Sequence, residues 1–170
     1  MVAASELRAG MIVEVENQMY RVLVAEYRAG AGKMPGAVHA RLQDLSTGSV
    51  TDRRLRPEEK LATVVAERET MEFLYQDGDA FYFMNPTTFE QLPVSRRVLG
   101  ERAGFLQSGV RLPVETIGER AIGVVFPESV DLRVASTAQP MHQRETSAMK
   151  KAVLQNGMEV LVPLFIKEGE

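Results

Sequence analysis

The sequence predicts an all-β protein made of three small barrels in a row. Apolar and polar residues alternate along most of the 170-residue chain, which is the period of a half-buried strand. Strand-like runs recur about every 8 to 12 residues with turn residues between them, a spacing typical of small barrels and sandwiches. With 45% hydrophobic and 25% charged residues, the composition is that of a globular protein.

Residues 1–64 are predicted to form an SH3-like (KOW-type) barrel. Alternation over residues 11–16 and 19–24 predicts two strands around a turn at Asn17 and Gln18. Residues 37–42 alternate in the same way and are expected to pair next. A single helical turn is expected after Pro57, because proline suits the first position of a helix.

Residues 65–128 are predicted to form a second barrel. Residues 69–75 and 80–84 read as aromatic-rich strands, and the Asp77-Gly78 pair between them is a strong hairpin signal. Further strands are expected within residues 105–115 and 121–126. A short helix is expected over residues 87–92.

Residues 129–170 are predicted to begin a third barrel. Strands are expected at residues 130–135 and 158–164, with a loop over residues 139–151 between them. A unit of about 40 residues is at the lower limit for independent folding. Either this module leans on its neighbour or the chain is truncated at Glu170, and the sequence leaves both alternatives open. We expect the third barrel to be incomplete.

The chain carries no recognisable catalytic or metal-binding motif. It has no cysteine and only two histidines, His39 and His142, without the carboxylate cluster that a metal site needs. The stretch from Gly30 to Lys33 lacks the spacing of a phosphate-binding loop. We expect no catalytic residue, no metal and no cofactor. Without a secretory leader or an apolar span, we expect a monomeric cytoplasmic protein with no membrane partner.

Charge is distributed unevenly along the chain. The overall net charge is −3, with 9 basic and 8 acidic side chains in residues 1–64, 6 and 10 in residues 65–128, and 5 and 5 thereafter. Residues 27–43 hold Arg28, Lys33 and Arg41 with His39 and no acid. A basic loop on an acidic body can meet phosphate at one place without coating RNA. A solvated hairpin with chance charge is an open alternative.

The C-terminal stretch carries a specific motif. Eight positions over residues 150–169 match the signature of the elongation factor P family, and the chain resembles that family: Lys150, Ala152, Gly157, Val160, Val162, Pro163, Ile166 and Gly169. Residues 7–12, 20–22 and 82–85 are also similar to the family, as is Phe126-Pro127 followed by Val130.

The resemblance implies an SH3-like barrel followed by two OB-fold barrels, which agrees with the strand pattern. It implies a translation factor and not an enzyme. Such a factor enters the ribosome between the peptidyl and exit sites, meets both subunits, ribosomal RNA and peptidyl-tRNA, and relieves stalling at consecutive prolines.

The resemblance also implies a functional tip loop, here residues 28–36. In the family this loop carries a basic residue, often a post-translationally extended lysine, towards the peptidyl-transferase centre. The usual tip position falls on Met34, and Lys33 lies one residue earlier. We expect Lys33 to be the tip and a candidate for modification by a lysine-modifying enzyme. The other expected tip residues are Gly32, Met34, Pro35 and Gly36.

A loop in the third barrel departs from the family, which has a glycine-rich stretch before the signature lysine. Hydroxyl and basic side chains there can bind phosphate oxygens. An exposed polar loop is an equally good interpretation of each one. The candidate RNA contacts of the whole chain are Arg28, Arg41, Arg144, Thr146, Ser147 and Lys150.

Two other functions compete with the main interpretation. The shifted Lys33 and the altered third-barrel loop would also suit a paralogue of the factor with different stalling motifs. A general single-stranded nucleic-acid binder needs aromatic stacking platforms beside basic residues. The aromatic run from Phe81 to Phe83 lies in the acidic middle segment, which argues against that second alternative.

Overall fold

The computed structural model describes residues 1–138 and 148–170 of the chain. In those residues nearly all regular structure is antiparallel strand, arranged in three sheets. The all-β prediction is confirmed. Residues 1–100 with 108–125 form one compact unit, and residues 101–107 with 126–170 form a second. The predicted bounds 1–64, 65–128 and 129–170 stay predictions.

The first sheet has six strands in the order β1-β6-β2-β3-β4-β5. They are β1 (Val2–Ala3), β2 (Ile12–Val15), β3 (Gln18–Arg28), β4 (Ala37–Asp44), β5 (Val50–Leu55) and β6 (Lys60–Val64). A 3₁₀ helix, Ala4–Glu6, follows β1. One core serves the whole sheet, because Leu55 of β5 and Leu61 of β6 join Val22 and Leu42 in a single buried cluster. This is the arrangement of a small barrel, which agrees with the predicted SH3-like class.

The second sheet has five strands in the order β11-β10-β7-β8-β9. They are β7 (Glu67–Asp77), β8 (Ala80–Met84), β9 (Gln91–Ser95), β10 (Arg111–Ile117) and β11 (Arg120–Val124). The edge strands β9 and β11 lie against each other, so the sheet curves back on itself. Its core contains Phe73, Phe81 and Phe83, whose rings pack at centroid separations of 5.4 to 6.1 Å.

Two short helices follow β9. The helix α1 (Arg96–Leu99) buries Leu99, and Gly100, with φ +60°, ends it. A side chain is strained at that backbone angle, which explains the glycine. A 3₁₀ helix, Gly100–Phe105, comes next.

The third sheet lies in the second unit and has the order β12-β13-β14. Its strands are β12 (Val134–Thr137), β13 (Met149–Leu154) and β14 (Glu159–Pro163). The earlier segment 101–107 is part of the same unit. Asn156 donates a hydrogen bond to the Gly104 carbonyl at 2.8 Å, and the Arg102 guanidinium lies 6.0 Å from the centroid of the Phe126 ring.

Several expected elements differ from the structure. The first hairpin turns at Glu16 and Asn17, both with positive φ, and not at Asn17 and Gln18. Pro57 opens a turn without a helix, in which the Glu59 N–H bonds to the Arg56 carbonyl at 3.0 Å. The expected strand within residues 105–115 begins at Arg111, and β13 occupies part of the expected loop.

The helix expected over residues 87–92 is wrong. Asn85 closes a turn there, because its side-chain oxygen accepts the N–H groups of Thr87 and Thr88 at 2.8 and 3.1 Å. Asn side chains compete with helix formation in this way. Phe89 then takes φ +61°, and β9 begins two residues later.

No helix in residues 1–138 or 148–170 combines the length and apolar character needed to cross a membrane.

Candidate functional site

The predicted tip loop lies at the end of the β3–β4 hairpin. Strand β3 runs for 11 residues and β4 for 8, and their last pair is Arg28 with Ala37. The chain between them is exposed as far as Pro35, and Gly36 is half-buried. The hairpin therefore carries residues 29–36 at one end of the first sheet.

Glycines give this loop its shape. The Met34 N–H bonds to the Ala31 carbonyl at 3.1 Å, which closes a turn around Gly32 and Lys33. Gly32 has φ +63°, a value that favours glycine. At Gly30 a side chain would collide with the Met34 backbone carbonyl, so the backbones of the two arms approach closely at this position.

Tyr27 packs at the base of the loop. A side chain at Gly36 would collide with the Tyr27 hydroxyl and ring, so the ring lies directly against the Gly36 backbone. The tyrosine is 60% exposed and can present its other ring face to a partner.

Lys33 is exposed at the turn and makes no hydrogen bond or ion pair within the described part of the chain. Its amine is therefore accessible both to a phosphate or carbonyl oxygen and to a modifying enzyme. Met34, beside it, is 72% exposed. The structure thus presents a basic and an apolar side chain together at the tip.

A concavity of about 570 Å³, lined mostly by residues with charged side chains, lies along the same hairpin. Three strands line it with Val24, Glu26, Arg28, His39, Ala40, Arg41, Asp52, Arg53 and Arg54. Cross-strand pairing places Glu26 and Arg54 on either side of His39, and Val24 and Asp52 on either side of Arg41. The structure therefore brings the predicted Arg28 and Arg41 to one surface, which we call the arginine face.

Charges on the arginine face are only partly paired. Arg28 lies 3.6 Å from Glu26, and Arg41 lies 3.1 Å from Asp52. The hydrogen bond from Arg41 to Asp52, with their charge attraction, raises the pKa of the arginine, which stays cationic. Arg54 has no acidic partner among the described residues. Sequence reasoning did not select Arg54. The signal available for it was alternation, because every second side chain of a strand that pairs with residues 37–42 lies on the same face of the sheet.

The third-barrel candidates are less informative. Arg144, Thr146 and Ser147 lie outside the described residues. Lys150 is half-buried on β13, and its amine donates to the Thr137 hydroxyl of β12 at 3.5 Å. That contact holds the side chain against its own sheet. Its role as an RNA contact stays a prediction.

The aromatic run is mostly unavailable for stacking on bases. Phe81 and Phe83 are buried in the core of the second sheet. Tyr82 lies on the opposite face, where it stacks on Tyr75 with ring centroids 4.8 Å apart. Of the aromatic run, only Tyr82, in this partly exposed pair, could stack on a base.

Three family models match the chain one after another. The elongation factor P KOW-like domain matches residues 3–61, the elongation factor P OB domain matches residues 66–124, and the elongation factor P C-terminal model matches residues 130–170. Together they span nearly the whole sequence, and they agree with the three sheets.

Curated relatives agree with the family models. Elongation factor P of Acidobacterium capsulatum is 33% identical over 170 residues, covering 99% of this chain and 91% of the relative. Elongation factor P of Moorella thermoacetica is 34% identical over 171 residues, covering 100% and 92%. That of Clostridium botulinum is 35% identical with the same coverage.

Solved structures show the same fold at low identity. Eukaryotic translation initiation factor 5A from Methanococcus jannaschii matches with a TM-score of 0.56 and 16% identity, covering 73% of this chain and 90% of that one. A translation initiation factor eif-5a family protein from Naegleria fowleri matches with a TM-score of 0.50 and 11% identity, covering 74% and 94%.

A KOW-like barrel continued by an OB domain, with a long hairpin carrying an exposed basic loop, defines this chain as a translation elongation factor. The chain belongs to the elongation factor P family. The family that the C-terminal motif predicted is thereby confirmed.

Proposed function

We propose that this factor binds the ribosome between the peptidyl and exit sites, positions peptidyl-tRNA and stimulates peptide-bond formation at consecutive prolines. The observation that carries the proposal is the exposed Lys33, which has no partner in residues 1–138 and 148–170, on a glycine-shaped loop at the end of the β3–β4 hairpin. A basic group at the end of a paired hairpin can reach into a confined RNA site.

The physical task is positional. Proline fixes its own φ and restricts the residue before it, so a prolyl chain end is held poorly for attack. Holding the acceptor end of the tRNA in a reactive geometry lowers the entropic part of the barrier, and the ribosome supplies the chemistry. The factor needs no catalytic residue, metal or cofactor for this task.

The arginine face supplies contacts to the RNA backbone in this proposal. Arg28, Arg41 and Arg54 would meet phosphates of peptidyl-tRNA or ribosomal RNA, since guanidinium groups bind phosphate oxygens well. The third barrel would reach the small subunit through Arg144, Thr146, Ser147 and Lys150. The factor works in the cytoplasm as a monomer.

The tip also favours a second candidate, a paralogous factor with different stalling motifs. Lys33 and Met34 are exposed together, so the tip presents an apolar side chain where the family usually places its basic one. A modifying enzyme that acts on Lys33 would have to accept this loop. A panel of stalling motifs separates this candidate from the first.

The test is reconstituted translation of a reporter with three consecutive prolines on ribosomes of the source organism. Wild type, Lys33→Ala and Lys60→Ala are compared, the last removing another exposed lysine of the same sheet. We expect wild type and Lys60→Ala to relieve the stall and Lys33→Ala to lose most of that effect.

Equal rescue by all three proteins would leave a translation factor whose tip is not Lys33. Ribosome binding without rescue at prolines, together with rescue at other motifs, would favour the paralogue. Mass spectrometry of the native protein over residues 28–41 decides whether Lys33 is modified.

A further inference from the structure

We infer that Glu115 is a positioning residue: its carboxylate joins the two sheets of the first unit and so sets the direction in which β3 presents the tip loop. The inference rests on the proposed function, because it explains how that loop is aimed. The residue lies far in sequence from the tip and outside every motif described above.

Glu115 accepts a hydrogen bond from one arginine of each sheet. It stands on β10, and its Oε2 accepts a hydrogen bond from Arg21 of β3 at 2.6 Å. Its Oε1 accepts a hydrogen bond from Arg68 of β7 at 2.5 Å. Both bonds are charge-assisted, the stronger and more directional kind. A single carboxylate thus ties the first sheet to the second.

The bond to the first sheet is sheltered from water. The Glu115 side chain is 11% exposed and that of Arg21 is 22% exposed. In such surroundings a charged pair is weakly screened, and loss of one partner leaves the other buried without compensation. Surface ion pairs such as Arg96 with Asp79 are much more exposed and contribute little.

The neighbouring backbone is shaped around this contact. A Cβ at Gly123 of β11 would lie 2.9 Å from the Glu115 Oε2 and 3.3 Å from Arg21 Nη2. The first separation is too short for a Cβ and the second is tight, so glycine at this position leaves the guanidinium and the carboxylate in place. A second bond across the two sheets runs from Arg120 to the Leu45 carbonyl at 3.4 Å.

The strand β3 connects this contact to the tip. Arg21 lies near its beginning, paired with Ile12 on one side and Gln43 on the other. Seven residues further on, a distance of about 23 Å along an extended strand, β3 ends at Arg28 and the tip loop begins. A small change in the tilt of β3 at Arg21 therefore becomes a larger displacement of Lys33. Misplacement by about 1 Å can lower a rate on the order of 100-fold.

The test combines a distance measurement with rescue kinetics. Because the chain has no cysteine, spin labels can be attached at two introduced ones, Glu58→Cys and Asp77→Cys. Both replace exposed residues: Glu58 lies in the turn between β5 and β6 of the first sheet, and Asp77 ends β7 of the second. Pulsed electron paramagnetic resonance then gives the distribution of distances between the sheets. The variants are Glu115→Gln, the conservative Arg21→Lys, and Asp79→Asn, which removes the negative charge from the surface pair between the β7–β8 turn and α1.

We expect Glu115→Gln to broaden the distance distribution. In the triple-proline assay it should lower the maximal rate on the order of tenfold, with a smaller change in the half-saturating factor concentration. Arg21→Lys, which keeps the charge, should retain most of the wild-type behaviour, and Asp79→Asn all of it. Circular dichroism checks that each protein is folded at the assay temperature. If Glu115 only stabilised the fold, the maximal rates of these folded variants would equal that of the wild type.

An unchanged distance distribution in Glu115→Gln would overturn the inference. So would a broadened distribution with an unchanged maximal rate, because orientation would then not matter to rescue. Failure of the wild type to relieve the stall rejects the proposed function instead, and the distance measurement still decides by itself whether Glu115 orients the two sheets.

Discussion

Gly30 is the residue on which the shape of the tip loop depends most directly. Gly30→Ala should displace the Met34 carbonyl and lower proline rescue on the order of tenfold, because the contact is with backbone and cannot be relieved by a rotamer change. Global stability should change by less than about 1 kcal/mol, since the loop is exposed. Rescue kinetics and urea unfolding measure the two effects.

Gly104→Ala is the matched control for that substitution, because its nearest neighbour would be the Met158 sulfur at an ordinary 3.6 Å. If Gly30→Ala rescued as well as this control, the loop would not need its close backbone contact.

Phe89 illustrates backbone strain at a single residue. It holds φ +61° while it is 69% exposed. Burial of the side chain therefore does little to offset the energetic cost of the left-handed conformation. Phe89→Asn should raise the free energy of unfolding by about 0.5 to 1 kcal/mol, since asparagine tolerates this region better. Urea denaturation measures it. A loss of stability would mean that the ring contributes packing that outweighs the strain.

At the scale of elements, the contact between β3, β10 and β7 predicts a pH dependence. Burial by itself would raise the pKa of Glu115, but hydrogen bonds and charges from Arg68 and Arg21 hold it below its ordinary value of 4.5. The folded protein therefore releases this proton more readily than the unfolded chain. The stabilisation is complete above the unfolded pKa and is lost as the pH falls through the lower folded pKa.

Glu115→Gln should accordingly lower the free energy of unfolding at pH 7 by about 2 kcal/mol. Its deficit relative to wild type should shrink below about pH 4.5, where the unfolded wild-type chain takes up the proton. Urea unfolding between pH 3 and 7 measures the difference. A deficit that stays constant over that range would contradict the assignment.

Sequence reasoning predicted elements well where local chemistry decides them. Alternation placed the β3–β4 hairpin, and the Asp77-Gly78 pair placed the β7–β8 turn. It failed where one side chain redirects the backbone, as Asn85 does before Phe89. Strand β13 was missed because its lysines interrupt the alternation and its pairing partners lie elsewhere in the chain.

At the scale of the whole molecule, the charge distribution predicts how ribosome binding responds to salt. The chain is net negative, whereas the arginine face groups Arg28, Arg41 and Arg54 on the sheet that also carries Lys33. We expect a shallow dependence, with a slope of about −3 in log K against log salt, because few phosphates are neutralised. Arg54→Gln should reduce the magnitude of that slope by about 1.

Arg111→Gln serves as the control, since Arg111 is an exposed arginine of the second sheet. An equal effect of both substitutions would assign the salt dependence to overall charge instead of the arginine face.

The order of the three folds could be predicted from the sequence, because the C-terminal motif of twenty residues is specific, and three family models match in the predicted order. The contact of Glu115 with Arg21 could not be predicted, since 94 residues separate the two and each alone resembles an ordinary surface charge. The tip residues were proposed from a local motif, and their role stays a prediction.

The second compact unit takes seven residues from the middle of the chain, and this affects how the molecule can be dissected. The polypeptide leaves the first unit after Gly100, contributes residues 101–107 to the second unit, and returns at Ser108 to form β10 and β11. A recombinant fragment starting at Phe126 would thus omit the Gly104 carbonyl that Asn156 binds and the Arg102 that lies over Phe126 itself. A single cut of the gene after residue 125 would therefore leave segment 101–107 on the first fragment and deprive the second unit of it.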